Sequence, residues 1–280
     1  MKIKVISDST CDLPEELLRK HDIAIVPLIV MKNDEEFLDG QTICAADIFA
    51  YVAAGGSLCS TAARSVGFYQ ETFEKYASDY DGIIHVNISA ELSSSHQNAR
   101  LAAEEFDNVR VVDSRSLSSA QGLVVLKACE LAETAESLDQ LQADLEVFTE
   151  KIEASFVVDK LDYLAKGGRC STVAALGANL LNLKPCIESR NGKLEVVKKY
   201  RGNYAKCLAN YVKDRLDGRD DIRNDILFIT YTTVSDECHN AVLEAVNTYG
   251  SFQEIQESIA GCTVSCHCGP GTLGIMFVRK

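Results

Sequence analysis

The stretch IIHVNISAELSSSHQNA (83–99) sets Ser89, Ser93, Ser94 and Ser95 just beyond an apolar run of strand length. A strand feeding a loop that opens a helix puts these short hydroxyls beside free backbone N–H groups and the positive end of a helix dipole. That combination suits an oxyanion, and the outer carboxyl ends of strands are where ligands sit in parallel α/β sheets. Two more hydroxyl-rich stretches follow apolar or helical segments in the same way. They are Ser7, Ser9 and Thr10 in SDSTCDLPEELL, and the loop SLCSTAARS at 57–65. The first also reads as plain helix capping, with Asp12 as N-cap, Pro14 in the first turn, and Glu15 and Glu16 against the dipole.

Other groupings offer different chemistry. Ser93, Asp113 and His267 occur in the chain order of an α/β-hydrolase triad, which makes a Ser/His acyl hydrolase the rival reading; the GxSxG elbow that such a nucleophile needs is absent. Gly269 to Gly274 spell GxGxxG, yet only six residues follow, too few for the helix of a dinucleotide site. Those glycines instead let the backbone turn tightly ahead of a last strand. Cys262, Cys266, His267 and Cys268 have the types of metal ligands, but no second pair lies at finger spacing, so no metal is expected. Two basic clusters, Lys166-Gly167-Gly168-Arg169 and Lys198-Lys199-Tyr200-Arg201, offer guanidinium forks for carboxylate or phosphate.

The elements that position these groups alternate between strand and helix. Strands are expected over 2–7, 23–30, 83–88 and 109–113, with 23–30 buried on both faces. Helices are expected over 45–54, 66–80, 120–132 and 138–152, and one starting near Leu92. This order gives a largely parallel, doubly wound sheet. Beyond residue 155 the pattern changes. A strand at 155–158, a broken helical turn at 161–171, a helix at 172–181 and an Asn191-Gly192 hairpin are followed by helices at 203–216 and 235–249. Strands at 226–231, 255–259 and 272–278 complete a second α/β unit, and His267 falls on a loop. The fold class is therefore α/β with two α/β domains, 1–155 and 156–280.

Length supports that division, since 280 residues is long for one core. The net charge, 28 − 41 = −13, argues against nucleic acid or an anionic membrane as a standing partner. The 11 cysteines are an odd number without regular spacing. With no run of signal-peptide or membrane-span length, they point to reduced thiols and a cytoplasmic protein.

Taken in order, the motifs resemble the DegV family of fatty-acid-binding proteins, the lipid-carrying subunits of bacterial fatty acid kinases. The resemblance runs through SDSTCDLP (7–14), ISAELSSSHQNA (88–99), VVDSRSLSSAQG (111–122), LDYLAKGGRCS (161–171), LLNLKPCIESRNGKLEVVKKYR (180–201) and HCGPGTLGIMF (267–277). It implies one long-chain fatty acid such as palmitate, its tail in a tunnel between the two domains and its carboxylate held by hydroxyl and His donors. It implies no catalysis by this chain and no cofactor, and it implies a fatty acid kinase catalytic subunit as partner. Carried over residue by residue, the family's LSGTYQ serine falls on Ser93, its TSQPS Thr and Ser on Ser60 and Thr61, and its HTGPG histidine on His267. Its phosphate-side arginines fall on Arg169 and Arg201. Ser94 stands where the family has Gly and His96 where it has Tyr, while CSTAARS lacks the Gln and Pro of TSQPS. The physics agrees. Burying a ~16-carbon tail contributes on the order of 10 kcal/mol before association costs, and the carboxylate then requires hydrogen-bond donors.

Overall fold

The computed structural model describes residues 1–170 and 183–280. The helix expected over 172–181 lies outside the described residues. In chain order, β1 (Ile3–Asp8), α1 (Glu15–Lys20) and β2 (Ala24–Val26) lead into β3 (Ile29–Lys32), β4 (Glu35–Leu38), α2 (Ala45–Ala53), β5 (Ser60–Ala62) and α3 (Val66–Ala77). Then come β6 (Gly82–Asn87), α4 (Ser95–Ala103), β7 (Val109–Asp113), α5 (Ser118–Ala132) and α6 (Leu138–Thr149). The second half runs β8 (Ile152–Val157), α7 (Asp162–Gly167), β9 (Leu183–Arg190), β10 (Lys193–Arg201) and α8 (Tyr204–Leu216). It ends with β11 (Ile222–Tyr231), α9 (Asp236–Tyr249), β12 (Glu254–Ile259), α10 (Cys262–Cys268) and β13 (Leu273–Arg279).

The first sheet is parallel throughout, in the order β2-β1-β6-β7. Every residue of β6 is buried, as a central strand covered by helices on both faces requires. The second sheet, β10-β9-β8-β13-β11-β12, is antiparallel except at the β11–β12 pair. Its outer hairpin turns at Asn191 and Gly192, which both take positive φ, 49° and 83°, as a two-residue turn of this kind demands. A third small antiparallel sheet, β4-β3-β5, sits beside the first.

α5 joins the two large sheets. One apolar cluster contains Val5, Ile84 and Val86 from the first sheet, Val124 and Ala128 from α5, and Phe228, Met276 and Val278 from the second sheet. The sequence SSAQGLVVLKACELA carries apolar or small residues on most faces, which marks a helix buried all round rather than an amphipathic one. Polar side chains on α5 are satisfied locally. Gln121 accepts from Thr10 Oγ1 at 2.9 Å and donates to Ser7 Oγ at 2.9 Å, while Ser119 and Thr230 hydroxyls meet at 2.6 Å.

The expectations for 23–30 and 57–65 need correction. The apolar run at 23–30 is two strands in two sheets, because Pro27 supplies no N–H for a ladder and redirects the chain between β2 and β3. Within the hydroxyl-rich loop, residues 60–62 pair with β3 as β5. Two helix starts and one loop also differ. Asp12 takes a left-handed conformation, φ 48°, and its carboxylate accepts from Ser118 Oγ and the Gly261 N–H rather than capping α1. α4 begins at Ser95, the residues after β6 forming a turn closed by Leu92 N–H to Ser89 O. His267 lies in the last turn of α10, not on a loop.

Candidate functional site

Outside the carboxyl ends of the parallel strands, a cavity of about 650 Å³ lies among the segments that connect the sheets. Its apolar wall includes Ile88 after β6, Leu117 before α5, Leu164 on α7, Leu194 on β10 and Val264 on α10. These residues belong to one buried cluster, to which the residue after β6 and α7, β10 and α10 each contribute. The volume falls in the range of small-molecule sites, and an apolar lining with few polar groups is their usual character.

The polar groups gather at one part of this wall. Thr61 Oγ1 and His267 Nε2 share a hydrogen bond of 2.8 Å across the cavity lining. Alternation along β5 explains why Thr61 reaches it. Ser60 and Thr61 point to opposite faces, and Ser60 is exposed and does not line the cavity. Of the two residues carried over from the TSQPS motif, Thr61 therefore lines the cavity and Ser60 does not.

Ser93 and Ser94 line the same cavity. Ser93 Oγ lies 2.9 Å from Ser95 Oγ and accepts the Ser95 N–H at 3.2 Å, so it is fixed at the start of α4. Ser94 is the N-cap residue of α4 but makes no capping bond with its side chain. His96 faces away, toward a polar cleft with Arg100 and Asp113, and does not touch the cavity. Arg169 lines the cavity and donates to Gly167 O at 2.8 Å. Arg201, at the end of β10, is exposed and outside it.

Burial and the nearby Arg169 guanidinium push His267 from an ordinary value of 6.5 down to about 4. The imidazole is neutral at physiological pH. Its Nδ1 is buried without a partner, and a Cβ at Gly167 would stand 2.5 Å from it. Glycine is thus required for this approach, which excludes an acceptor from that side. A His whose folded value is depressed destabilises the native state as pH falls, because the unfolded chain takes up the proton first. Between pH 6.5 and 4 the empty protein should lose on the order of 2–3 kcal/mol on this account. His267→Gln should remove that part of the acid limb. Urea titrations of both proteins at pH 7, 5.5 and 4 would test it, and parallel curves would refute the assignment.

The residues of a hydrolytic relay are not assembled. Asp113 accepts from the Ala90 and Arg115 backbone N–H groups, at 3.2 and 2.8 Å, and His267 bonds Thr61 rather than Ser93. The cysteines near His267 diverge: Cys262 Sγ donates to Ile43 O, and Cys266 sits with Cys59 in a different apolar cluster from Cys268. Among the described residues no group of three or more His, Cys, Asp or Glu could hold a metal ion. The GPGTLG run leads into β13 instead of a helix.

Among the polar lining residues, the sequence did not single out Arg64, Asn98 and Thr263. It also missed Asp39, which positions the site from outside. The Asp39 carboxylate accepts the N–H groups of Cys262 and Thr263 at 2.8 and 3.1 Å and the Ser9 hydroxyl at 2.9 Å, so it anchors the start of the helix that carries His267. A guanidinium within a hydroxyl-rich stretch was a signal for Arg64, whereas Asp39 lies in a polar segment with no distinguishing pattern.

Fold and site together define an α/β protein with two large sheets and a small one, and a largely apolar cavity that hydroxyl, imidazole and guanidinium groups also line. A family model described as an uncharacterised protein of the DegV family matches residues 2–280, and the chain belongs to that family. A protein of Thermotoga maritima named fatty acid-binding protein is 30% identical over 283 residues, covering 98% of this chain and 96% of its own. A Thermus thermophilus structure, described by fatty acid binding of a DegV family protein, superposes with a TM-score of 0.90 at 29% identity over 100% of both chains. A stearic acid-binding protein from Eubacterium ventriosum has a TM-score of 0.83 at 25% identity, with 99% of this chain and 98% of its own covered. Among the described residues no helix is long and apolar enough to cross a membrane.

Proposed function

We propose that this protein binds a single long-chain fatty acid in the 650 Å³ cavity, as a non-catalytic carrier that presents the carboxylate to a fatty acid kinase catalytic subunit. The observation that carries the reading is the pairing of an apolar wall with the Thr61–His267 hydrogen bond and the fixed Ser93 hydroxyl. The tail packs on Ile88, Leu117, Leu164, Leu194 and Val264, where each buried methylene contributes about 0.8 kcal/mol. The carboxylate accepts from the Thr61 and Ser93 hydroxyls, with Ser94 beside them, while the neutral His267 donates its Nε2–H to Thr61 Oγ1 and so turns the Thr61 hydroxyl toward the anion. Arg169 and Arg201 face the kinase and its transferred phosphate. The fatty acid binding of the relatives supports the ligand class. The 11 cysteines suit the reducing cytoplasm, and no cofactor enters this scheme.

Native mass spectrometry of gently purified protein, followed by solvent extraction, tests the proposal. A one-to-one adduct that extracts as a long-chain fatty acid is expected. Combining Ser93→Ala with His267→Ala should abolish loading while the far-ultraviolet circular dichroism is unchanged. Undiminished loading in that variant would overturn the head-group assignment. A bare wild-type mass with no uptake of added palmitate would overturn the carrier reading.

A further inference from the structure

The loop that leaves β5 carries an arginine, Arg64, directly after Ala62 and Ala63. Arg64 lines the cavity, and its Cζ sits over the Phe68 ring, 3.5 Å from the centroid. Its Nε is buried and has no hydrogen-bond partner. A guanidinium cannot relieve this by losing its proton, and an unpaired buried donor is costly, so the Arg64 side chain that lines the cavity keeps an unmet hydrogen-bonding demand.

The neighbouring elements hold this group in place. The Arg64 carbonyl accepts Asn98 Nδ2 at 2.7 Å, tying the loop to α4, and Ser65 Oγ caps α3 through the Phe68 N–H at 3.2 Å. Asn98, Ser94 and Phe68 line the cavity beside it. The other cavity cation, Arg169, donates to the Gly167 and Leu92 carbonyls, at 2.8 and 3.5 Å, and is exposed. His267 is neutral. The hydroxyls and imidazole at the head-group end therefore supply dipoles but no compensating charge.

Resting on the proposed fatty-acid reading, we infer that Arg64 is a specificity-determining residue, the guanidinium that ion-pairs with the ligand's carboxylate and selects ionised amphiphiles over uncharged ones of equal chain length. A guanidinium held over an aromatic face meets a carboxylate through the N–H groups at the edge of its plane.

Palmitate and 1-hexadecanol share the tail and differ in the charge. Titration of both into delipidated full-length protein should give tighter binding of palmitate in the wild type. Arg64→Gln should weaken palmitate by about tenfold or more, leave hexadecanol unchanged and abolish the preference. Arg64→Lys should retain part of the preference, because the charge is kept and the fork is lost. An unchanged palmitate-to-hexadecanol ratio in Arg64→Gln, or an equal loss for both ligands, would overturn the inference and leave Arg64 as a wall residue stacked on Phe68. Failure of the wild type to bind palmitate at all would overturn the carrier reading itself, a separate outcome visible before any variant is made.

Discussion

Replacing Asp12 with Asn should make the protein's stability much less sensitive to pH between about 4 and 8, and should stabilise it at the upper end. Asp12 is buried beneath the start of α10, where its carboxylate accepts from Ser118 Oγ at 2.5 Å and from the Gly261 N–H at 2.9 Å. Burial raises it from 3.8 to about 8, with the Ser118 bond opposing and the Asp39 charge adding to the rise. An acid whose folded value is raised holds its proton in the native state while the unfolded chain has released it. Its contribution is thus fully present below pH 3.8 and is lost as pH rises through 8. The difference of about 4 pKa units corresponds to on the order of 5 kcal/mol. Asn preserves the acceptor for Gly261, can donate to the Ser118 hydroxyl, and tolerates the left-handed backbone at this position. Urea midpoints for both proteins at pH 4, 6 and 8 should diverge steadily, with the variant the more stable at pH 8. A constant difference across the three values would show that Asp12 does not stay protonated in the fold.

The second large effect is expected at Asp8, the last residue of β1. Its carboxylate is fully buried and accepts from Tyr69 Oη at 2.9 Å, Asn87 Nδ2 at 3.0 Å and the Ile88 N–H at 3.2 Å, with His85 Nε2 at 3.3 Å. These partners come from α3 and β6, and Ile88 is part of the cavity wall. Asp8→Ala strips acceptors from three buried donors at once and leaves them no water. A cost of about 3–5 kcal/mol is expected, the range for breaking a buried polar network by removing one member. Asp8→Asn keeps part of the acceptor capacity and should cost less. Denaturant unfolding monitored by circular dichroism gives both numbers. A loss below about 1 kcal/mol for the alanine variant would mean that the network relaxes without Asp8.

Much of the chain could be read from local pattern. The apolar run before Ser89, the helix over α5 and the Asn191-Gly192 hairpin each depend on periodicity or turn chemistry within a few residues. The errors occurred where a non-local partner decided the outcome. Residues 60–62 are a strand only because β3 offers them an edge. Residues 23–30 divide at Pro27 because β1 offers an edge to one half and β5 to the other, in two different sheets. His267 is helical because Asp39, more than two hundred residues earlier, anchors the first turn of α10.

By itself the sequence determined the α/β class, the order of most of the elements, the hydroxyl-rich stretches near strand ends and the likeness to the DegV family. Those properties follow from side-chain types at short spacing, which bias backbone conformation before any tertiary contact forms. Only the tertiary structure decided which hydroxyl meets His267. Strand alternation turns Thr61 inward and Ser60 out, and that choice depends on the register with β3. Likewise, only packing decided that Arg64 and Arg169 share the cavity while Arg201 lies on the surface. Charge is legible in a sequence, whereas burial, which gives a charge its energetic weight, is a property of the assembled fold.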